Sequence, residues 1–288
     1  MIQPDKLKAI DVHVHAEVSC TDPEDPVMGK FYDASTAYFN APRKRPTIQE
    51  TIDYYREQKM AFCMFTVDCE SWVGAKRIRN EEVAEIALAN SDVMIPFASI
   101  DPHKGKLGAR EARDLIENWG VKGFKFHSPM QGCSPADRMA YPIYEVIAEY
   151  NLPAIFHTGH SGMGTGLKGG GGIKLKYGQP MLIDEVAVDF PDINFILAHP
   201  GWPWTDESLS MALHKANVFI DLSGWSPKYF PEQIIRYANT QLSHKMLFGS
   251  DFPLIRPDAW IAAAEKVGFR EEVLQKIIKD NAVKLLGL

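Results

Sequence analysis

Apolar and polar positions alternate along this chain with two different periods. Short β-branched or aromatic runs, suited to strands, are separated by longer stretches in which apolar residues recur every three or four positions, as on a helix. The runs predict strands at residues 9–15, 62–67, 94–100, 123–127, 154–157, 194–198, 218–222 and 246–249. The helical patterns fall between them, at residues 47–59, 75–90, 106–119, 139–150, 181–190, 207–216, 230–240 and 257–267. Thr47 followed by Glu50 has the form of a capping box, and Gly120 stands where a helix would stop. Eight strands, each with a following helix, predict an α/β chain folded as a (β/α)8 TIM-like barrel. A doubly wound open sheet is the alternative, but no glycine-rich nucleotide fingerprint follows the first strand. Residues 270–286 predict an extra C-terminal helix closing the outside. There is no internal repeat and no sign of a second unit, so residues 1–288 read as one barrel domain.

Two connections are too long to be turns. Residues 16–46 carry acidic, aromatic and basic side chains, including Arg43 and Arg45, and residues 158–179 contain Gly169-Gly170-Gly171-Gly172. Long connections in a compact domain tend to be functional, and in a barrel both of these would lie on the face where sites are built. The glycines match no phosphate-loop pattern, which favours a mobile lid.

The first strand, Ile10-Asp11-Val12-His13-Val14-His15, alternates apolar and polar residues. His13 and His15 therefore project together, as two imidazoles must to share one cation. A wetted, half-buried strand is the plain alternative. Further polar residues stand at other strand ends: Lys125 and His127, then His157, then His199, then Asp251. Each alone could cap a carbonyl or start a turn. Polar side chains at the ends of several strands of one barrel read as catalytic. Asp221, ending the seventh strand, could orient a ligand or simply begin a turn. His103, His214 and His244 read as surface residues.

Composition changes this picture little. Apolar residues make up 45% and charged residues 24%, and the formal net charge is −6, which gives no footprint for nucleic acid or an anionic membrane. No apolar run is long enough for a membrane span, and the polar residues 1–8 do not look like a signal peptide. The four cysteines, Cys20, Cys63, Cys69 and Cys133, form no CxxC pair. The expectation is a cytoplasmic protein with reduced thiols and a small-molecule substrate.

The ordered set of His-x-His, a strand-ending His, Ala-His-Pro-Gly and Gly-Ser-Asp-Phe-Pro resembles the amidohydrolase superfamily. The branch it is most similar to contains aminocarboxymuconate semialdehyde decarboxylase and γ-resorcylate decarboxylase. These motifs span Asp11 to Pro253. The resemblance implies a distorted barrel with one divalent metal, zinc first and manganese, iron or cobalt as alternatives. By motif it implies His13, His15, His157 and Asp251 as ligands, with His199 unliganded beside them. It also makes a homodimer an expectation. Lys125 raises the option of a carbamylated lysine bridging a second metal, which is not usual in this branch.

That set makes chemical sense. A divalent cation lowers the pKa of a bound water to about 7, Asp251 can accept a proton, and His199 can polarise a carbonyl or transfer a proton. Arg43 and Arg45, with Arg256 as a further option, could clamp a substrate carboxylate, and Trp202, Trp204 and Trp225 could wall a planar substrate. Surface charge and packing under loops are the plain alternatives. The reading is a metal-dependent hydrolase acting on a small carboxylate, ester, lactone or acyl substrate. Nonoxidative decarboxylation of an aromatic or unsaturated acid is the alternative, hydration a third option, and a metal-free binding protein the reading from another class.

Overall fold

The computed structural model describes residues 1–40 and 43–288; Ala41 and Pro42, inside the first long connection, lie outside the described residues. The strands are β1 (Ala9–His15), β2 (Met60–Phe65), β3 (Met94–Pro96), β4 (Ala98–Ser99), β5 (Phe124–Phe126), β6 (Ala154–His157), β7 (Phe195–Ala198), β8 (Val218–Asp221) and β9 (Met246–Leu247). All pairings are parallel. Neighbours follow chain order, β1 to β3 in one sheet and β4 to β9 in the other. A doubly wound sheet would reverse that order, so the α/β barrel reading holds.

The predicted third strand is split at Phe97 into β3 and β4, which is why the ladder falls into two sheets. Phe97 N–H still donates to Met64 O of β2 at 2.8 Å, while on the opposite edge Pro96 has no N–H to offer and the bonds toward β5 resume with Ala98 N–H to Gly123 O at 2.9 Å. At the other seam, Val12 N–H donates to Phe248 O at 2.9 Å, Asp251 N–H to His13 O at 3.0 Å and His15 N–H to Phe252 O at 2.9 Å. These bonds lay the last strand beside the first.

Two apolar layers result. Met60, Phe62, Phe124, Phe156, Phe195 and Phe248 face the surrounding helices, while Ile10, Val12, Cys63, Ile155, Ile196 and Leu247 fill the inside. Strands covered on both faces read as continuous apolar runs, which is what made them visible in the sequence. The C-terminal segment Glu271–Gln275, Lys276–Asp280 and Asn281–Leu286 does more than close the outside. Ala282, Val283, Leu285 and Leu286 pack onto the inner cluster, and Phe248 N–H donates to Ile277 O at 2.9 Å.

Simple alternation does not hold along β1. Its register against β2 slips between Asp11 and Val14. Asp11 consequently faces outward, where Tyr55 O–H donates to it at 2.6 Å, while Val12 and His13, adjacent in sequence, both belong to the inside. A β-bulge does this, re-aiming a side chain next to a site.

The first long connection is not irregular throughout: it holds a helix, Pro26–Phe39. Asp25 caps it, accepting from Val27 N–H and Met28 N–H at 2.8 and 3.1 Å. The Thr47–Glu50 capping box is present at the start of Ile48–Glu57. All four cysteines are free thiols, and His103, His214 and His244 are exposed. Among the described residues, no helix is long and apolar enough to cross a membrane.

Candidate metal centre and active site

The strand ends of the inner face open into a cavity of about 790 Å³. Both long connections line it, through Glu17, Tyr32, Tyr38 and Phe39 from the first and through His160 to Met163 from the second. Both therefore lie on the side of the histidines.

At its floor His13 Nε2 and His15 Nε2 lie 3.2 Å apart. Asp251 Oδ1 is 3.0 Å from His15 Nε2 and 3.2 Å from His13 Nε2. Four ligands placed tetrahedrally at zinc distances would stand about 3.3 Å apart, so three donors already converge with the spacing of a metal site. Burial pushes the His15 imidazolium down to about 4, leaving a neutral ring at pH 7. Burial opposes ionisation of Asp251, but hydrogen bonds from His13 and His15 prevail and hold its carboxyl well below the usual range. A neutral imidazole and an ionised carboxylate are donors a divalent cation can use directly; at His13, burial and Lys125 oppose protonation but Asp221 and Asp251 outweigh them and raise its pKa, so a cation there would displace a proton.

His157 lies in the same cavity but outside that triad. Its Nδ1 is 3.1 Å from His199 Nε2, its ring stacks on His127 with centroids 3.9 Å apart, and its Nε2 is buried with no partner. An orphaned buried nitrogen is costly. It is the feature a fourth ligand would present before a cation is placed, so the predicted donor set fits a divalent metal.

Around the triad stand groups that orient it. Asp221 Oδ2 accepts from His13 Nδ1 at 2.8 Å, which directs the His13 Nε2 lone pair toward His15 and Asp251. Burial works against ionisation of Asp221, yet the His13 contact holds it at about 2. Ser223 Oγ lies 3.0 Å from His13 Nδ1 and 2.9 Å from His199 Nδ1. A side chain at Gly224 would strike His199 Nδ1 at 2.6 Å, and one at Gly249 would strike Ser223, Asp221 and His13 at 2.8–2.9 Å. Lys125, fully buried, points Nζ at His13 Nε2 from 3.0 Å, and burial pushes it down to about 8.

His199 and Asp251 both adopt left-handed backbone, with φ of 77° and 64°. Such conformations in non-glycine residues are uncommon and collect at functional sites. Burial pushes His199 down to about 4.

The two candidate arginines part company. Arg45 lines the cavity, its guanidinium 5.1 Å from the Tyr32 ring centre and 3.2 Å from Glu17, with Nε buried and unpaired. Arg43 pairs with Glu24 and Asp33 at 2.7 and 2.5 Å, and neither it nor Arg256, paired with Asp258, lines the cavity. Trp202 and Trp225 form part of the wall, ring centres 6.1 Å apart; Trp204 does not. Glu17 and Ser223 were not picked out from the sequence. Neither belongs to a recognisable motif, and only their neighbours in space mark them.

Comparison with known proteins agrees with this fold. The chain superposes on an uncharacterised TIM-barrel protein from Bordetella bronchiseptica with a TM-score of 0.75 at 21% identity, over 98% of this chain and 99% of that one. It superposes on 5-carboxyvanillate decarboxylase from Sphingomonas paucimobilis with a TM-score of 0.67 at 16% identity, over 98% and 99%. A probable 2-pyrone-4,6-dicarboxylic acid hydrolase from Acinetobacter baumannii gives 0.64 at 16% identity, over 98% and 100%. At these identities the likeness speaks for the fold. By sequence, no curated protein matches the chain. The amidohydrolase family model matches residues 10–288, and the chain thus belongs to the amidohydrolase family, as an enzyme of that metal-dependent superfamily.

Proposed function

We propose that this enzyme releases CO2, without an oxidant, from a small aromatic or unsaturated carboxylic acid, using one divalent ion, zinc first. The observation that carries the metal dependence is the convergence of His13 Nε2, His15 Nε2 and Asp251 Oδ1 within 3.0–3.2 Å. His157, with its unpaired Nε2, is the fourth ligand in this reading. When bound, the ion supplies Lewis acidity toward a substrate oxygen or lowers the pKa of a bound water to about 7.

The chain's own residues supply the rest. His199, beside the cluster, holds a proton for transfer to carbon or to a leaving atom. Arg45 offers a cation to a carboxylate at the cavity wall, and Trp202, Trp225 and Tyr32 offer flat apolar faces to a planar substrate. The two long connections exclude water when they cover the mouth. The likeness to 5-carboxyvanillate decarboxylase supports carbon–carbon cleavage over the other chemistries.

Hydrolysis is the second reading, favoured by the likeness to the probable pyrone dicarboxylic acid hydrolase. It would use the same ligands, with Asp251 accepting a proton from water. A substrate panel decides between them: aromatic carboxylates, lactones and β-ketoacyl thioesters, presented to zinc-loaded protein while CO2 and acid release are followed separately. CO2 from an aromatic acid is the expected result. Acid release from a lactone or thioester alone would replace the first reading with the second. Failure to hold about one metal ion per chain would overturn both. We further place the chain in a single domain and in the cytoplasm, as the sequence suggests.

A further inference from the structure

We propose that Ser223 is a positioning residue that fixes the tautomer of His199, holding its proton on Nε2. The inference rests on the reading of His199 as the proton-transfer group given above.

The argument is a count of hydrogens along one buried chain of contacts. Asp221 accepts from His13 Nδ1 at 2.8 Å, and an ionised carboxylate can only accept, so His13 Nδ1 carries the proton. His13 Nε2, which Lys125 Nζ approaches at 3.0 Å and Asp251 Oδ1 at 3.2 Å, does not enter the count, because the Nδ1 proton is required whether Nε2 is protonated or not. Ser223 Oγ lies 3.0 Å from that same protonated Nδ1 and can only accept there. Ser223 is fully buried, and its other hydroxyl neighbour among the described residues is His199 Nδ1 at 2.9 Å. A buried hydroxyl that fails to donate is costly. Its hydrogen therefore points at His199 Nδ1, which must be the unprotonated nitrogen, and the His199 proton sits on Nε2. The 3.1 Å contact from His199 Nε2 to His157 Nδ1 completes the chain as a donated hydrogen bond. Gly224, with φ of +72°, supports the same seat: any side chain there would strike His199 Nδ1 at 2.6 Å.

The arrangement has a consequence for His157. To ligate through its orphaned Nε2, His157 must carry its own proton on Nδ1. Two N–H groups cannot face each other at hydrogen-bond distance. Because Ser223 denies His199 the other tautomer, ligation by His157 ends the His157–His199 hydrogen bond. That leaves the His199 Nε2–H available to a substrate. Occupying the metal site and arming the proton donor become one event.

The test reads tautomers directly, with long-range ¹⁵N–¹H correlation spectra of histidine-labelled protein, metal-stripped and zinc-loaded. His199 signals are assigned by their loss in His199→Gln. Expected in both forms is a protonated Nε2 and an unprotonated Nδ1 whose resonance is displaced upfield by the hydrogen bond it accepts. In Ser223→Ala the Nδ1 resonance loses that displacement, while zinc stoichiometry stays at the wild-type value. A protonated Nδ1 on wild-type His199 in either form overturns the proposal, and this decides the matter even if Ser223→Ala does not fold. Ser223→Ala that loses zinc while leaving the His199 resonances in place also overturns it, reducing Ser223 to packing. Wild-type protein that binds no zinc would instead refute the metal reading, and the metal-stripped spectrum would still judge Ser223.

Discussion

Pinning the two long connections together should stabilise the protein and seal its cavity. Tyr38, on the helix Pro26–Phe39, faces Gly166 of the second connection, and a Cβ built on Gly166 would lie 3.9 Å from the Tyr38 Cβ. That lies within the Cβ–Cβ range of a disulfide and close to its mean, so Tyr38→Cys with Gly166→Cys should cross-link in a Cys20→Ser background that removes the one exposed native thiol. The bond would close a loop of 128 residues (166 − 38), which loop entropy alone rates at about 5 kcal/mol. Gly166 has φ of +85°, and forcing a cysteine there returns about 1–3 kcal/mol. The net gain of about 2–4 kcal/mol should raise Tm by roughly 3–7 °C on oxidation, reversed by dithiothreitol. The functional assay is metal extraction: a coloured chelator should strip the oxidised protein about tenfold or more slowly than the reduced one, because the cavity mouth can no longer open. A cross-link that forms quantitatively but leaves extraction unchanged would show that these connections do not gate the site. Failure to cross-link would show that they do not meet.

Four further outcomes follow from the site. His13→Ala should lose metal and turnover together, whereas His199→Ala should keep most of the metal and lose about two to four orders of magnitude in turnover on whichever substrate the panel identifies; full turnover in metal-replete His199→Ala would refute its role. Asp221→Asn should weaken zinc about 10–100-fold in a competition titration. In the metal-free protein, Asp221 has a folded pKa of about 2 against an ordinary value of 3.8, so the unfolded state binds more protons between these values and stability rises with pH there; about 2 kcal/mol is fully present above pH 4 and lost as pH falls through 2, and denaturant melts of Asp221→Asn should lack that limb. Zinc should also slow amide exchange at residues 11–15 and 248–252 more than elsewhere, because His13 and His15 lie on one side of the barrel seam and Asp251 on the other; uniform protection would contradict a site that bridges the seam.

Much of this was legible in the sequence because burial on both faces of a strand leaves an apolar run, and a charged or imidazole side chain ending such a run has few structural uses. His13, His15, His157, His199 and Asp251 were found that way. What was not legible depends on partners distant in sequence. Arg43 and Arg45 are equivalent on paper, yet Glu24 and Asp33 claim the first and leave the second in the cavity. The helix Pro26–Phe39 was hidden because Gly29, Ser35 and Thr36 blur its apolar stripe; the available signal was Asp25-Pro26, an N-cap followed by a proline at the first helical position. Ser223 carries no motif at all, since its meaning lies in two imidazoles from other strands.

The bulge in β1 explains why the site and the barrel seam are one construction. Asp11, turned outward by the register slip, accepts from His13 N–H and Ser250 N–H at 3.0 Å each and from the Tyr55 hydroxyl at 2.6 Å. One buried carboxylate thus fixes the backbone immediately before Asp251, the backbone of His13 itself and the helix Ile48–Glu57 behind them. Strict alternation would have sent Asp11 inside with the histidines, adding a second carboxylate to the metal floor and leaving the seam without its acceptor. The slip instead separates the two acids by function: Asp11 holds the strand ends in register, and Asp251 is left free to face His13 and His15. The alternating pattern that first drew attention to β1 is therefore right about His13 and His15, which flank the outward-facing Val14, and wrong about Asp11, which the slip takes off their face.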